Sequence, residues 1–122
     1  MLHRLMGLFS PPPGSERVHV VDPAEVKTWV EAGQAVLVDV REPKEHAAER
    51  IPGATSLPLS SFDPARLPDA AGRKLVFHCQ SGSRCGMAAI RLLAAGYPGE
   101  IYRLGGGILG WKSAGGPTRR GA

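Results

Sequence analysis

Apolar residues in this chain fall into short dense runs, separated by segments in which they recur at helical spacing. Val18 to Val21 is the first run, a short strand. Asp22-Pro23 follows as an N-cap with proline at the first helical position, and Val26, Trp29 and Val30 form an inward stripe that Gly33 ends. Ala35 to Val40 is almost continuously apolar, the pattern of a central strand covered on both faces, broken by Asp39 near its carboxyl end. Arg41 to His46 opens a short helix with Pro43 near its first position. Ile51 to Ala54 turns into a brief strand at Thr55 to Leu57, and Pro58 to Leu67 reads as loop with one helical turn. Leu75 to Phe77 is a buried strand. Met87 to Ala95 is a helix marked by Met87, Ile90, Leu93 and Ala94, with Gly96 as its stop. Ile101 to Leu104 is the last strand, and Gly105 to Gly107 turns into a short helix closed by Trp111, expected as a core anchor.

Strands alternating with helices predict an α/β fold: a mainly parallel five-stranded sheet with helices on both faces. Its body spans residues 18–116. Residues 1–17 read as a flexible arm, in which Leu2, Leu5, Met6 and Phe9 lie near helical spacing ahead of a proline-rich linker. Residues 117–122 belong to a Gly/Pro/Arg tail expected to be disordered. A chain of 122 residues suits one domain with a proper core and no staples. Met1 to Phe9 is too short in apolar residues for a signal peptide, and no run approaches membrane-spanning length.

The net charge of +4 is partly carried by Arg4, Arg119 and Arg120 on the expected tails. No basic run interleaves with aromatics, so neither nucleic acid nor a membrane is expected as partner; mild basicity suits a pocket for small anions. The two cysteines sit in or beside one loop, where a bridge would close a very short ring, so a reduced, cytoplasmic setting fits better. His46, His78, Cys79 and Cys85 have no recognised zinc spacing, and neither metal nor cofactor is expected. The triple glycine lacks the spacing of a phosphate fingerprint.

That loop carries the candidate chemistry. A strand, a loop from Cys79 to Arg84 and a helix in succession aim backbone N–H groups and the positive end of the helix dipole at one point. Gly82 lets the loop curl, Ser81 and Ser83 add hydroxyl donors, Gln80 contributes to the amide cradle, and Arg84 supplies a permanent cation. A thiol at that focus ionises below the usual cysteine value of about 8.5, which makes Cys79 a candidate nucleophile. Cys85 reads as a small core thiol, with a resolving role for Cys79 as the alternative. His78 should face away from Cys79 by strand alternation.

Four segments in this order resemble a single-domain rhodanese: Asp39-Val-Arg41-Glu42-Pro43, Ile51-Pro-Gly-Ala54, Cys79-Gln-Ser-Gly82-Ser-Arg84, and Leu104-Gly-Gly-Gly107 followed by Trp111. The resemblance covers about Val18 to Gly116 and implies a sulfurtransferase. A donor such as thiosulfate would pass its outer sulfur to Cys79 as a persulfide, for transfer to cyanide or a thiol. Its partners would then be a small sulfur-containing anion or a protein persulfide, with a thiol acceptor. Asp39 and Arg41 match the family's Asp-x-Arg and are expected as a buried pair fixing the turn, or bracing the loop. Arg50 stands where the family commonly has His, and is expected to be solvated; His46 stands where an aromatic residue is common. A sulfur carrier with little turnover remains an alternative. A cysteine phosphatase is a further one, disfavoured because Cys79 to Arg84 is one residue shorter than C-x5-R. A thioredoxin-like oxidoreductase would need Cys-x-x-Cys.

Overall fold

Local sequence rules set most of the element starts. The Asp22 carboxylate accepts the Ala24 N–H at 2.8 Å ahead of Pro23, and Glu45 reaches back to the Glu42 N–H at 3.0 Å in a capping box. In the computed structural model, which describes residues 11–121, the helices are α1 (Pro23–Glu31), α2 (Pro43–Ala48), α3 (Arg84–Ala94) and α4 (Gly107–Ser113). The strands are β1 (Val18–Val21), β2 (Ala35–Asp39), β3 (Glu49–Arg50), β4 (Thr55–Ser56), β5 (Lys74–His78), β6 (Ile101–Leu104) and β7 (Arg119–Arg120).

Five strands form one sheet in the order β1-β6-β5-β2-β4, and every neighbouring pair is parallel. The strand with the cysteine loop, β5, is therefore central, with Asp39 paired to His78 in register. Alternation along the strands makes two cores. Leu75, Phe77 and Val38 pack with Cys85, Ala88, Ala89 and Leu92 of α3 on one face; Val76 and Leu37 pack with Val26 of α1 and with Ile108 and Trp111 of α4 on the other. The helices thus cover both faces, as the alternating pattern predicts.

Two expectations are corrected, those for the tail and for the arm. Within α3, Met87 and Ile90 are 49% and 42% exposed, Leu93 packs partly against the core, and Ala88 and Ala89 are buried. Small residues let the helix lie close to the sheet. Met87, Ile90 and Leu93 line a groove of about 400 Å³ with Pro12, Val18 and Arg103. The tail is not disordered over 117–121. Its β7 pairs antiparallel with β3, the Trp111 indole N–H donates to Pro117 O at 2.8 Å, and the Thr118 hydroxyl donates to Glu49 at 2.6 Å. Part of the expected arm is also anchored: Ser15–Arg17 forms a helical turn, and Arg17 donates to Tyr97 O and Gly99 O at 2.9 and 2.7 Å. The stripe from Leu2 to Phe9 lies outside the described residues.

Candidate active site

Asp39, Cys79 and Gly105 lie at the carboxyl ends of β2, β5 and β6, which are neighbours in the sheet. That is where a parallel sheet collects reactive groups, because loops there face helix N-termini. Cys79 is fully buried, yet its sulfur is not simply a core atom: the Gly82 N–H donates to Sγ at 3.1 Å. Gly82 makes this approach at φ +115, open to glycine at low cost.

The Cys79 thiol is pulled down to about 5, first by a hydrogen bond from the Cys85 thiol, against burial, and then by the N–H groups of Cys85, Gly82 and Arg84. Cys85 is pushed up correspondingly, by its bond to Cys79 and by burial. It therefore keeps its proton, which it directs at Cys79 or at Gly82 O, 2.9 Å away. At neutral pH the pair holds one thiolate, on Cys79. Loop curvature is set from outside as well. The Ile108 N–H donates to Cys79 O at 2.9 Å and the Leu109 N–H to Gln80 O at 3.3 Å, so the start of α4 docks under the loop. Gly107 permits that contact, since a Cβ there would lie 2.5 Å from both Cys79 O and Gln80 O.

Arg84 is placed differently from expectation. Its guanidinium makes a two-pronged ion pair with Glu45 of α2, at 2.6 and 2.8 Å, and does not turn its side chain onto the sulfur. Glu45 is held below the usual carboxylate range by this bond, and Arg84 is raised by it. What Arg84 offers Cys79 is its backbone N–H and a nearby positive charge. Ser81 and Ser83 are exposed.

Asp39 and Arg41 form the expected buried pair, and more. Arg41 contacts Asp39 at 2.8 to 3.2 Å through Nε and Nη2, caps Glu49 O at 2.6 Å, and reaches Gln80 Oε1 at 3.3 Å. The pair thus touches the loop through Gln80. His46 Nδ1 contacts the same Asp39 carboxylate at 2.8 Å. Burial pushes the Asp39 carboxyl up, but the bonds from Arg41 and His46 and the charge of His78 outweigh it, and the net shift is downward. His78 is buried beside this cluster, facing away from Cys79 as alternation requires. Burial pushes it down, and among the described residues its Nε2 has no hydrogen-bond partner, 3.9 Å from Asp39. Arg50 donates to Gly121 O at 2.6 Å, so it holds the tail.

Glu45, His46 and Arg103 were not singled out from sequence as site residues. A signal existed for Arg103, which donates to Gly82 O at 2.8 Å: like Asp39, it is a charge inside a short apolar strand. Among the described residues no cluster of His, Cys, Asp and Glu is arranged to hold a metal, and no helix is long and apolar enough to cross a membrane.

A parallel α/β sheet whose central strand ends at a buried cysteine in an amide-lined loop defines a class of α/β fold. Within it the chain belongs to the rhodanese-like domain family, whose model matches residues 22–114. It is 39% identical to a sulfurtransferase of Allochromatium vinosum over 67% of this chain and 76% of that one. It is 52% identical to the uncharacterized protein slr1261 of Synechocystis over 68% of this chain, and spans only 46% of that protein. A thiosulfate sulfurtransferase from Pseudomonas aeruginosa is similar in structure at TM-score 0.75 and 26% identity, over 88% of this chain and 21% of that one.

Proposed function

We propose that the chain is a sulfurtransferase that carries sulfur as a persulfide on Cys79. The observation that supports this most is the Gly82 N–H on Cys79 Sγ, with a thiol that ionises at about 5. A thiolate is the nucleophile sulfur transfer needs, and no acid–base pair is required when the leaving group is a stable anion. With thiosulfate as donor, the Cys79 thiolate attacks the outer sulfur. A Cys79–sulfur bond forms, the sulfur–sulfur bond to sulfite breaks, and sulfite leaves with the electron pair. The persulfide anion is then attacked at its outer sulfur by cyanide or a thiolate, and Cys79 leaves with its electron pair restored. The loop N–H groups from Gln80 to Arg84 stabilise the charge on the outer sulfur as it forms. Asp39 and Arg41 brace the loop through Gln80. A thiolate cycle of this kind calls for a reducing compartment, such as the cytoplasm.

Two features weigh against phosphatase chemistry. The loop is one residue short of C-x5-R, and the Arg84 guanidinium is spent on Glu45 and not offered to a phosphate. Full burial of Cys79 favours one second reading, a sulfur carrier that loads but turns over slowly. Intact mass spectrometry after thiosulfate treatment tests the proposal: one added sulfur atom is expected on the wild type and none on Cys79→Ser. No added sulfur with thiosulfate or a low-molecular-weight persulfide, or thiocyanate formation surviving in Cys79→Ser, would end it. Stable loading without thiocyanate formation from cyanide would select the carrier.

A further inference from the structure

Arg103 lies in β6 on the same face as Ile101, which packs into the α3-side core, so its side chain runs beneath the cysteine loop. Its Nη2 donates to Gly82 O at 2.8 Å, and its Nε lies 3.5 Å from Cys85 Sγ. The Cys85 thiol lies 2.9 Å from the same carbonyl, but its one proton is divided between that oxygen and Cys79. Arg103 is thus the donor committed to the carbonyl of the residue whose N–H reaches Cys79 Sγ. Glycine is the residue with the most backbone freedom to lose, and Gly82 sits at φ +115, so its orientation needs an external anchor. The first turn of α3 makes room for that anchor: a Cβ at Gly86 would meet Arg103 Nη2 at 3.0 Å and Cζ at 3.1 Å. Gly86 is a poor helix former inside a helix, and this contact supplies a reason for it.

We propose that Arg103 is a positioning residue for the nucleophile, holding Gly82 through its carbonyl so that the Gly82 N–H faces the Cys79 sulfur. Arg103 touches no reacting atom. Its guanidinium spans Gly82 O and Cys85 Sγ together, which a single ammonium group on a flexible stem does not do. The inference rests on Cys79 being the nucleophile.

The test is the pH dependence of Cys79 alkylation by iodoacetamide in the full chain, with peptide mass spectrometry separating Cys79 from Cys85. The other titratable groups whose charge bears on the sulfur are Arg84 and Cys85 from α3 and, from the opposite face of β5, His78, and none of them is changed in the variants. The wild-type midpoint is expected at about 5. In Arg103→Ala it should rise by about one pH unit, a tenfold loss of thiolate below the midpoint. Arg103→Lys keeps the charge but not the two-point hold, and its midpoint should rise as well. An unchanged midpoint in Arg103→Ala, or full recovery in Arg103→Lys, would overturn the proposal, the second outcome by reducing the effect to charge alone. If Arg103→Ala does not fold, Arg103→Lys decides: a raised midpoint supports the hold and an unchanged one removes it. No sulfur donor enters the measurement. Failure to form a persulfide on the wild type would therefore end the sulfur-transfer reading alone, and an Arg103-independent midpoint would end only this one.

Discussion

Gly107→Ala isolates how closely the start of α4 must approach the cysteine loop. Gly107 has φ +59, and a Cβ there would lie 2.5 Å from Cys79 O and Gln80 O, both backbone atoms. Ordinary contact begins at 3.4 Å, so loop and helix must part by about 0.9 Å. Placing alanine in the left-handed region costs about 1 kcal/mol by itself. Separation also breaks the Ile108 N–H bond to Cys79 O, and a buried group left without its partner costs about 1–3 kcal/mol more. The total is about 2–4 kcal/mol. Gly33→Ala is the control: its φ is +71 and nothing lies within 4 Å of its Cβ position, so it should show the backbone cost of about 1 kcal/mol alone. Urea denaturation of both variants gives the difference. Sulfur loading of folded Gly107→Ala should fall about a hundredfold, since a shift near 1 Å in a positioning element has that scale of effect. Equal stability of the two variants, with loading intact, would refute the account of the loop's support.

Other outcomes follow from the same contacts. Asp39→Asn removes the anion from a buried pair and should destabilise the fold by about 3–5 kcal/mol in urea denaturation. The folded Asp39 value lies below 3.8, so its stabilisation is complete above that pH and is lost as pH falls through the folded value. The acid limb of a stability–pH curve should therefore flatten in the variant, and an unchanged limb would place the acid sensitivity elsewhere. Cys85→Ala removes the leading influence on Cys79, so the pH below which thiolate absorbance disappears should move up from about 5; a fixed transition would show that the N–H groups suffice. Deleting residues 117–122 takes the partner from the Trp111 indole N–H and should lower stability by about 1–3 kcal/mol, read as the urea midpoint. A tail that contributes nothing would leave that midpoint in place.

The linear pattern of residues determined most of the fold and the position of the candidate nucleophile. Dense β-forming runs, proline at helix starts and glycine at helix ends act over a few residues, so strand and helix order, and the placement of Asp39 and Cys79 at strand ends, follow from neighbours in the chain. The Asp39–Arg41 pair was legible for the same reason, since its members are two residues apart. Periodicity did not say which face of α3 turns inward. Met87 and Ile90 are as apolar as the residues that won, and only the close approach of the sheet selects Ala88 and Ala89. The partner of Arg84 is Glu45, thirty-nine positions away, and Arg103 meets Gly82 across twenty-one. The tail meets Glu49 across sixty-nine. A charged side chain takes whichever acceptor the folded backbone brings within its reach, and that choice is made by strand order and helix packing, through contacts that no local spacing encodes.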